Sequence, residues 1–264
     1  MKSNQHQTHH RLGFTLVELL VVIVIVATLA TLGVMGARRA LDSAARAKTM
    51  GNLKQLASTA MIFSSDNNGA LMDTWQTVSG GQQRSWAHHL MVTLSPEMTE
   101  NKKYETSAGD QLARSLEIFA DPKALKAAKG KLPESGHESW RSFGYNNRIG
   151  AFIPANPGTN PWKTGAKYVN AVEEAHKLIL FTQPKLSGDN YPYFAQPGDA
   201  NNGRVDFDLH NGISLVGFLD GHVREYSKFN YPGNGGTNPR SNSKYTTAEL
   251  NELWLGRATP FTAP

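Results

Sequence analysis

The sequence predicts an α+β fold in which a long N-terminal helix packs on a small antiparallel β-sheet, with loops and short helices inserted between the strands. Residues 14–34 are an apolar run with one charge, and residues 35–66 continue it with apolar residues at helical spacing. From about residue 140, short apolar segments alternate with turn residues, a pattern typical of strands. The 24 glycines and 13 prolines among the 264 residues also favour a loop-rich domain over a helical bundle.

The apolar run at residues 14–34 predicts a transmembrane helix. A helix needs about 20 residues to cross the hydrocarbon core, and this run is longer than the apolar part of an ordinary signal peptide. Lys2 and Arg11 precede it, with no acid before it. Glu18 interrupts the run, and a carboxylate at the centre of a membrane helix costs about 3 kcal/mol, less near an end. We therefore expect Glu18 to be functional, with an amine at Phe14 as its partner.

Residues 35–66 predict the amphipathic second half of the same helix. Their apolar side chains recur at helical spacing, and "DNNG" at 66–69 is a stop signal made of residues that tolerate left-handed backbone. Gly33 and Gly36 weaken a helix by about 1 kcal/mol each relative to alanine, which favours a bend or close packing there. The apolar stripe needs a covering partner, and residues 67–264 are the predicted head domain.

The head domain is predicted to contain short helices first, then strands and a final helix. A short helix that ends before Pro96 is expected within 85–98, and a second helical region is expected at 110–130 around the "IFADP" break. His88 and His89 are adjacent, which is poor spacing for a shared metal, and we interpret them as a surface pair. Thr246 and Glu249 predict a capping box for the final helix. Strands are expected in "SFGYNNRIGAFI", "HKLILFTQP", "RVDFDLH" and "GISLVGFLDGHVREYS", the last a hairpin with a "DG" turn.

The N-terminal residues resemble a known family. "GFTLVE", with a short basic leader before it and a long apolar run after it, is similar to the processing motif of type IV pilins and type II secretion pseudopilins. The resemblance implies that a membrane-embedded prepilin peptidase cuts between Gly13 and Phe14, and that Phe14 is then N-methylated. It also implies a pilin-like fold, a cytoplasmic leader at residues 1–13 and an extracytoplasmic head. The basic residues after the span would by themselves favour the opposite orientation.

A second resemblance lies nearer the C-terminus. His210, nine intervening residues and then Asp220-Gly221 form an H-x9-DG pattern similar to the signature of a family of large pseudopilin-like proteins. We interpret these residues as structural rather than as a metal or catalytic set: Asp220 closes a turn, Gly221 adopts positive φ, and His210 bonds the backbone. Where that family has cysteine and proline, this chain has Asp121-Pro122, so no disulfide or metal role is expected there.

The acidic stretch "GDANNGRVDFD" contains candidate calcium ligands. Pseudopilins to which the chain is similar often carry a calcium site near the C-terminus, although the spacing here does not match an EF-hand. Calcium is the one cofactor that the sequence indicates, because it contains no G-x-S-x-G, H-E-x-x-H or P-loop motif and no G-x-G-x-x-G between a strand and a helix. The candidate ligands are Asp199, Asn201, Asp206 and Asp208.

The resemblance implies a non-enzymatic subunit of a type II secretion or type IV pilus-like filament. Its expected partners are prepilin peptidase, copies of itself and other pseudopilins, an assembly platform with its ATPase, and membrane lipid before assembly. Glu18 would neutralise the Phe14 amine of an adjacent subunit. Two alternatives remain: a periplasmic hydrolase or binding domain anchored by a pilin-type leader, and a minor pilin that binds DNA. The net charge of +5 is dispersed and does not indicate nucleic-acid binding.

Overall fold

The structure, a computed structural model, shows the α+β fold that the sequence predicts. The chain divides into two compact units, residues 1–44 and 45–264. The first unit contains the N-terminal part of a long helix, and the second contains the rest of that helix and the head. The described residues are 15–77, 83–95, 117–128, 142–150, 165–185, 194–195, 205–232 and 245–258.

Helix α1 (Leu16–Asp66) includes both predicted halves of the N-terminal helix. An 18-residue window within it has a mean hydropathy of 2.7, so α1 is long and apolar enough to cross a membrane. The helix continues without a break through Gly33 and Gly36, and a Cβ added at either glycine would meet nothing within 4 Å in the described part of the chain. It ends at the "DNNG" signal, where Asn68 and Gly69 have φ angles of 55° and 79°.

Seven short strands follow α1 in the described chain. The first two pair as a hairpin, and the other five form one sheet in the order β5-β3-β4-β6-β7. Neighbouring strands in this sheet are antiparallel except β3 and β5, and β6 and β7 form the predicted "DG" hairpin. The strands are β1 (Trp75–Thr77), β2 (Gln83–Ser85), β3 (Gly144–Asn146), β4 (Ile179–Thr182), β5 (Phe194–Ala195), β6 (Ile213–Phe218) and β7 (Val223–Ser227).

The described part of the head also contains short helices near the predicted positions. Helix α2 (Trp86–Leu94) ends before Pro96, and α3 (Pro122–Ala128) follows the "ADP" break after a 3-10 turn. The final helix is α4 (Thr247–Leu255), which begins with the predicted capping box and ends at a left-handed glycine with φ 78°. Pro96 and Thr246 therefore predicted the end of α2 and the start of α4 correctly.

Both faces of the five-stranded sheet are covered. Successive side chains of a strand point to opposite faces, and along β6 Leu215 joins a core cluster with Leu53 of α1, whereas Val216 and Phe218 join a second cluster with Trp254 of α4. From residue 45 onward α1 thus packs on one face, and α4 packs on the other. This arrangement explains why β6 is apolar on both faces.

The stretch "RVDFDLH" does not form the predicted strand. Val205 makes an isolated bridge to Pro184, and the chain then turns at residues 208–210. Oδ1 of Asp206 accepts hydrogen bonds from the amides of Asp208 and Leu209 at 2.9 and 3.2 Å. A side-chain acceptor of this kind competes with strand pairing for the backbone donors, which is the physical reason for the turn.

The adjacent histidines of α2 are not a surface pair, so that prediction is wrong. His88 is 4% exposed, and its Nδ1 accepts a hydrogen bond from the Ser85 amide at 3.0 Å. His89 is half-buried, and its ring centroid lies 5.2 Å from that of Phe63 on α1. His88 therefore caps the start of α2, and His89 contributes to packing between α2 and α1.

Candidate functional site

The first functional element is a capping box at the start of α1. The Thr15 amide and Oγ1 donate hydrogen bonds to Glu18 Oε2 at 2.9 and 2.8 Å. In return, the Glu18 amide donates to Thr15 Oγ1 at 3.2 Å. The reciprocal bonds satisfy two backbone donors of the first turn and hold the carboxylate at the positive end of the helix dipole. Glu18 is thereby fixed against the first described residue of the chain.

The two residues of the predicted cleavage site, Gly13 and Phe14, lie outside the described residues. The structure therefore shows where Glu18 lies but not its partner. Cleavage after Gly13, methylation of Phe14 and pairing of its amine with Glu18 stay predictions.

The apolar part of α1 that follows the capping box is exposed throughout. Leu16 is 86% exposed, Ile23 58% and Leu29 63%. A soluble monomer rarely exposes a continuous apolar surface of this size. The hydrocarbon of a bilayer can cover a surface of this kind, because the backbone hydrogen bonds of a helix are internal.

A second polar cluster lies inside the head, around Asp121. Its side chain is fully buried, and its Oδ2 accepts hydrogen bonds from Thr49 Oγ1 at 2.9 Å and from Gln183 Nε2 at 2.7 Å. The same oxygen lies 2.6 Å from His210 Nε2. We call these four residues the Asp121 junction. One carboxylate thus connects α1, the start of α3, the end of β4 and the turn before β6.

The other carboxylate oxygen of Asp121 caps α3. Oδ1 accepts hydrogen bonds from the amides of Lys123 and Ala124 at 2.7 and 3.2 Å. Pro122 occupies the first helical position, where a missing amide hydrogen costs nothing. Ser142 Oγ accepts a hydrogen bond from the Asp121 amide at 2.5 Å. Both carboxylate oxygens therefore have protein donors, as a buried charge requires.

Burial alone would raise the pKa of Asp121, because removing a carboxylate from water favours its neutral form. The hydrogen bond of His210 and its electrostatic interaction with the carboxylate oppose burial, together with hydrogen bonds from Thr49 and the Lys123 amide. These interactions outweigh burial and hold the pKa of Asp121 below its ordinary value. Asp121 is therefore a carboxylate at neutral pH, and its neighbours stabilise that charge.

The three residues of the H-x9-DG pattern lie in two different places. His210 contacts Asp121, 89 residues away in sequence, and not the backbone partner that we expected, so that expectation is wrong. Its Nδ1 is buried and has no hydrogen-bond partner among the described residues. Asp220 Oδ1 accepts a hydrogen bond from the His222 amide at 3.1 Å, and Gly221 has a φ of 88°. The histidine thus belongs to the Asp121 junction, and Asp220 and Gly221 form the hairpin turn.

The structure describes two of the four candidate calcium ligands. Asp206 Oδ1 already accepts two backbone hydrogen bonds, and Asp208 Oδ2 lies 3.4 Å from Lys185 Nζ. Asp199 and Asn201 lie outside the described residues. Within the described ranges no group of three metal-binding side chains occurs. Calcium binding stays a prediction.

Polar contacts also hold the second half of α1 on the head. Arg46 forms an ion pair with Glu225 of β7, and Lys48 Nζ lies 3.1 Å from Glu117 Oε2. Buried Asn52 donates hydrogen bonds through Nδ2 to the carbonyls of Glu117 and Ala120, at 2.8 and 2.9 Å. The register of α1 against the head is therefore specified by polar groups as well as by apolar packing.

The Asp121 junction is the part of the site that sequence reasoning missed. An aspartate directly before proline is a local signal for a helix N-cap, so the cap of α3 was predictable from residues 120–125. The contacts of Asp121 with Thr49 and His210 span 72 and 89 residues. No local pattern reports such pairs.

Comparison with known proteins bears on the N-terminal segment. A family model of the prokaryotic N-terminal methylation motif matches residues 8–34. A search of curated proteins and a search of solved structures each found no match. The matched segment contains Gly13, Phe14 and Glu18, and it confirms the prepilin-like character of the N-terminal segment. Together with the apolar part of α1, it supports a membrane-anchored protein with a single span. The resemblance of the H-x9-DG residues stays a prediction.

Proposed function

We propose that the protein is a structural subunit, a pseudopilin, of a type II secretion or type IV pilus-like filament. Prepilin peptidase removes residues 1–13, and Phe14 is N-methylated. The mature subunit waits in the cytoplasmic membrane with its head outside. A cytoplasmic ATPase and its assembly platform then add it to a filament made of copies of itself and other pseudopilins. The subunit acts by assembly, without enzymatic chemistry or nucleic acid.

The observation that carries this proposal is the overlap of two features in one segment. The methylation motif matches residues 8–34, and the same segment includes the apolar surface that is exposed along α1 from Leu16 to Val34. A plain membrane anchor explains the apolar surface but not the motif. Processing followed by helix-to-helix assembly explains both, because the exposed surface can exchange lipid for other apolar helices without exposing backbone groups.

The geometry of Glu18 supports a role for its charge in assembly. The capping box holds the carboxylate in the first turn of α1. Cleavage before Phe14 would create an amine within about one helical turn of Glu18, and therefore at a similar depth in the membrane, in every subunit. The carboxylate of one subunit could then meet the amine of an adjacent subunit where both groups are poorly solvated. Charge pairing of this kind is strong in a medium of low dielectric constant, and it would select a specific stagger between subunits.

The proposal is tested by the N-terminal sequence and intact mass of the protein extracted from membranes. The expected product begins at Phe14 and carries the mass of one added methyl group. Gly13→Ala should reduce cleavage, because the protease must approach a backbone that has no side chain at this position. Gly33→Ala is the matched control and should leave cleavage unchanged. A full-length chain in the wild type, or an unchanged mature mass in Gly13→Ala, would contradict the assigned site.

A further inference from the structure

We propose that Arg38 and Arg39 bind the phosphates of anionic phospholipids at the extracytoplasmic face of the membrane before the subunit is assembled. The inference rests on the proposed function for the orientation of the chain. It gives a function to two cations that lie outside the methylation motif, because the matched segment ends at residue 34.

The depth of the two arginines follows from helix geometry. Residues 19–37 carry no charge, so Glu18 and Arg38 are consecutive charges along α1. An α-helix rises about 1.5 Å per residue, which places these charges about 30 Å apart along the axis. The hydrocarbon core of a bilayer is about 30 Å thick. If Glu18 lies at one boundary of the hydrocarbon, the arginines lie at the opposite boundary, among the lipid headgroups.

The basic residues of α1 differ in their partners. Arg46 and Lys48 form ion pairs with Glu225 and Glu117 of the head. Arg38 and Arg39 are exposed, and the described residues show no hydrogen bond or ion pair to either side chain. The cations that face the head are therefore used within the chain, whereas the pair at the membrane boundary is available to a ligand outside it.

Lipid phosphate fits the chemistry of this pair. A guanidinium presents a planar set of donors that binds phosphate in a bidentate manner. Adjacent helix residues are about 100° apart around the axis, so the two arginines can contact different lipids around an isolated helix. An acidic side chain of a second subunit would approach the helix from one side and would therefore pair with only one of the two arginines. The positive-inside rule places basic residues on the cytoplasmic side, so it does not explain arginines at the extracytoplasmic end of the span. Contact with anionic headgroups of the outer leaflet would explain them.

The test measures the lipid selectivity of the full chain in vesicles of phosphatidylcholine that contain a minor fraction of phosphatidylglycerol. Spin-labelled versions of the two lipids report how strongly each associates with the helix. We expect the wild type to prefer phosphatidylglycerol. In the double variant R38Q/R39Q, the association with phosphatidylglycerol relative to phosphatidylcholine should fall about fivefold for each arginine removed. R38K/R39K should retain most of it, and K54Q, which removes an exposed cation from the head half of α1, should not change it.

The outcomes separate this inference from the proposed function. An embedded chain with the same lipid preference in wild type and R38Q/R39Q overturns the inference and leaves the proposed function intact. The same result with a reduced filament yield in R38Q/R39Q also overturns it and assigns the arginines to a contact between subunits. A chain that high salt washes from the vesicles contradicts the membrane span, and with it both proposals. A preference that falls in R38Q/R39Q and in wild type at high salt supports the inference.

Discussion

Two helices in different regions of the molecule begin with the same capping box. In the box of α1 and in the box of α4, threonine Oγ1 donates to glutamate Oε2 at 2.8 Å, and the glutamate amide donates back at 3.2 Å. The box of Thr246 and Glu249 lies on the exposed surface of the head. The box of Thr15 and Glu18 begins an apolar run in which the next charge is Arg38. The local geometry is shared, and the surroundings differ.

The comparison shows that capping alone does not explain the charge of Glu18. A capping box accepts glutamine as readily as glutamate, and a neutral amide is less costly beside hydrocarbon. At α4 water solvates the carboxylate, so its charge needs no further partner. At α1 the charge of Glu18 would gain a partner of opposite charge if cleavage creates an amine at Phe14. Variants of the head should therefore alter unfolding, and variants of residues 14–37 should alter membrane or filament behaviour instead.

Asp121→Asn should have the largest effect on the head. It removes the charged acceptor of the hydrogen bonds from Thr49, Gln183 and His210 inside the protein, and a hydrogen bond to a charged group contributes about 1.5–3 kcal/mol of unfolding free energy. Denaturation of the detergent-extracted full chain, followed by tryptophan fluorescence, measures this loss. Asp208→Asn is the control, because its exposed pair with Lys185 contributes less than about 1 kcal/mol. Equal losses in the two variants would show that the Asp121 junction does not stabilise the head.

Leu56→Ala should lower the free energy of unfolding by about 2–5 kcal/mol, because it leaves a cavity where α1 packs on the head. Leu56 is fully buried, whereas Leu29 is 63% exposed on the apolar part of the same helix. Leu29→Ala should therefore leave the unfolding of the head unchanged. The same denaturation experiment compares the two variants. Similar destabilisation by both would contradict the division of α1 into two regions.

The head should lose stability in acid. Because the pKa of Asp121 is lower in the folded protein than in the unfolded chain, its contribution is complete above the unfolded pKa of about 3.9 and disappears as the pH falls through the folded pKa. Denaturation at pH 7 and pH 3 should show a larger loss for the wild type than for Asp121→Asn. Identical losses would mean that other carboxylates account for the acid sensitivity.

The smallest effect is expected at the capping box of α4. Thr246→Ala removes an N-cap and should cost about 1 kcal/mol of unfolding free energy. Ser58→Ala changes an exposed hydroxyl within α1 and should alter the unfolding free energy by less than about 0.5 kcal/mol. Membrane extraction and filament yield should be normal for both variants. A filament defect in Thr246→Ala would show that capping itself affects assembly.

The parts of the fold that depend on neighbouring residues were predictable from the sequence. The "DNNG" signal ends α1, the "DG" step forms the β6–β7 hairpin, and Thr246 begins α4. Each of these signals acts through the backbone of the residues beside it. The methylation motif was predictable for the same reason, because it lies within one short continuous segment.

The remaining features depend on residues far apart in the chain. His210 pairs with Asp121, and His89 packs on Phe63, so neither histidine has the role that its local sequence favoured. The "RVDFDLH" stretch has the apolar alternation of a strand, but Asp206 captures the amides that a strand would use. Tertiary contacts and local side-chain acceptors outweighed periodicity at these positions.

The most direct test of the role proposed for the Glu18 charge is the filament yield of Glu18→Gln. This substitution keeps the hydrogen-bonding shape of the capping box and removes the charge. Glu249→Gln makes the same change in the matching box of α4. We predict that Glu18→Gln is processed at Gly13 to the normal mature mass but assembles few filaments, while Glu249→Gln assembles like the wild type. Normal filament yield from Glu18→Gln would contradict a role for the charge of Glu18 in assembly.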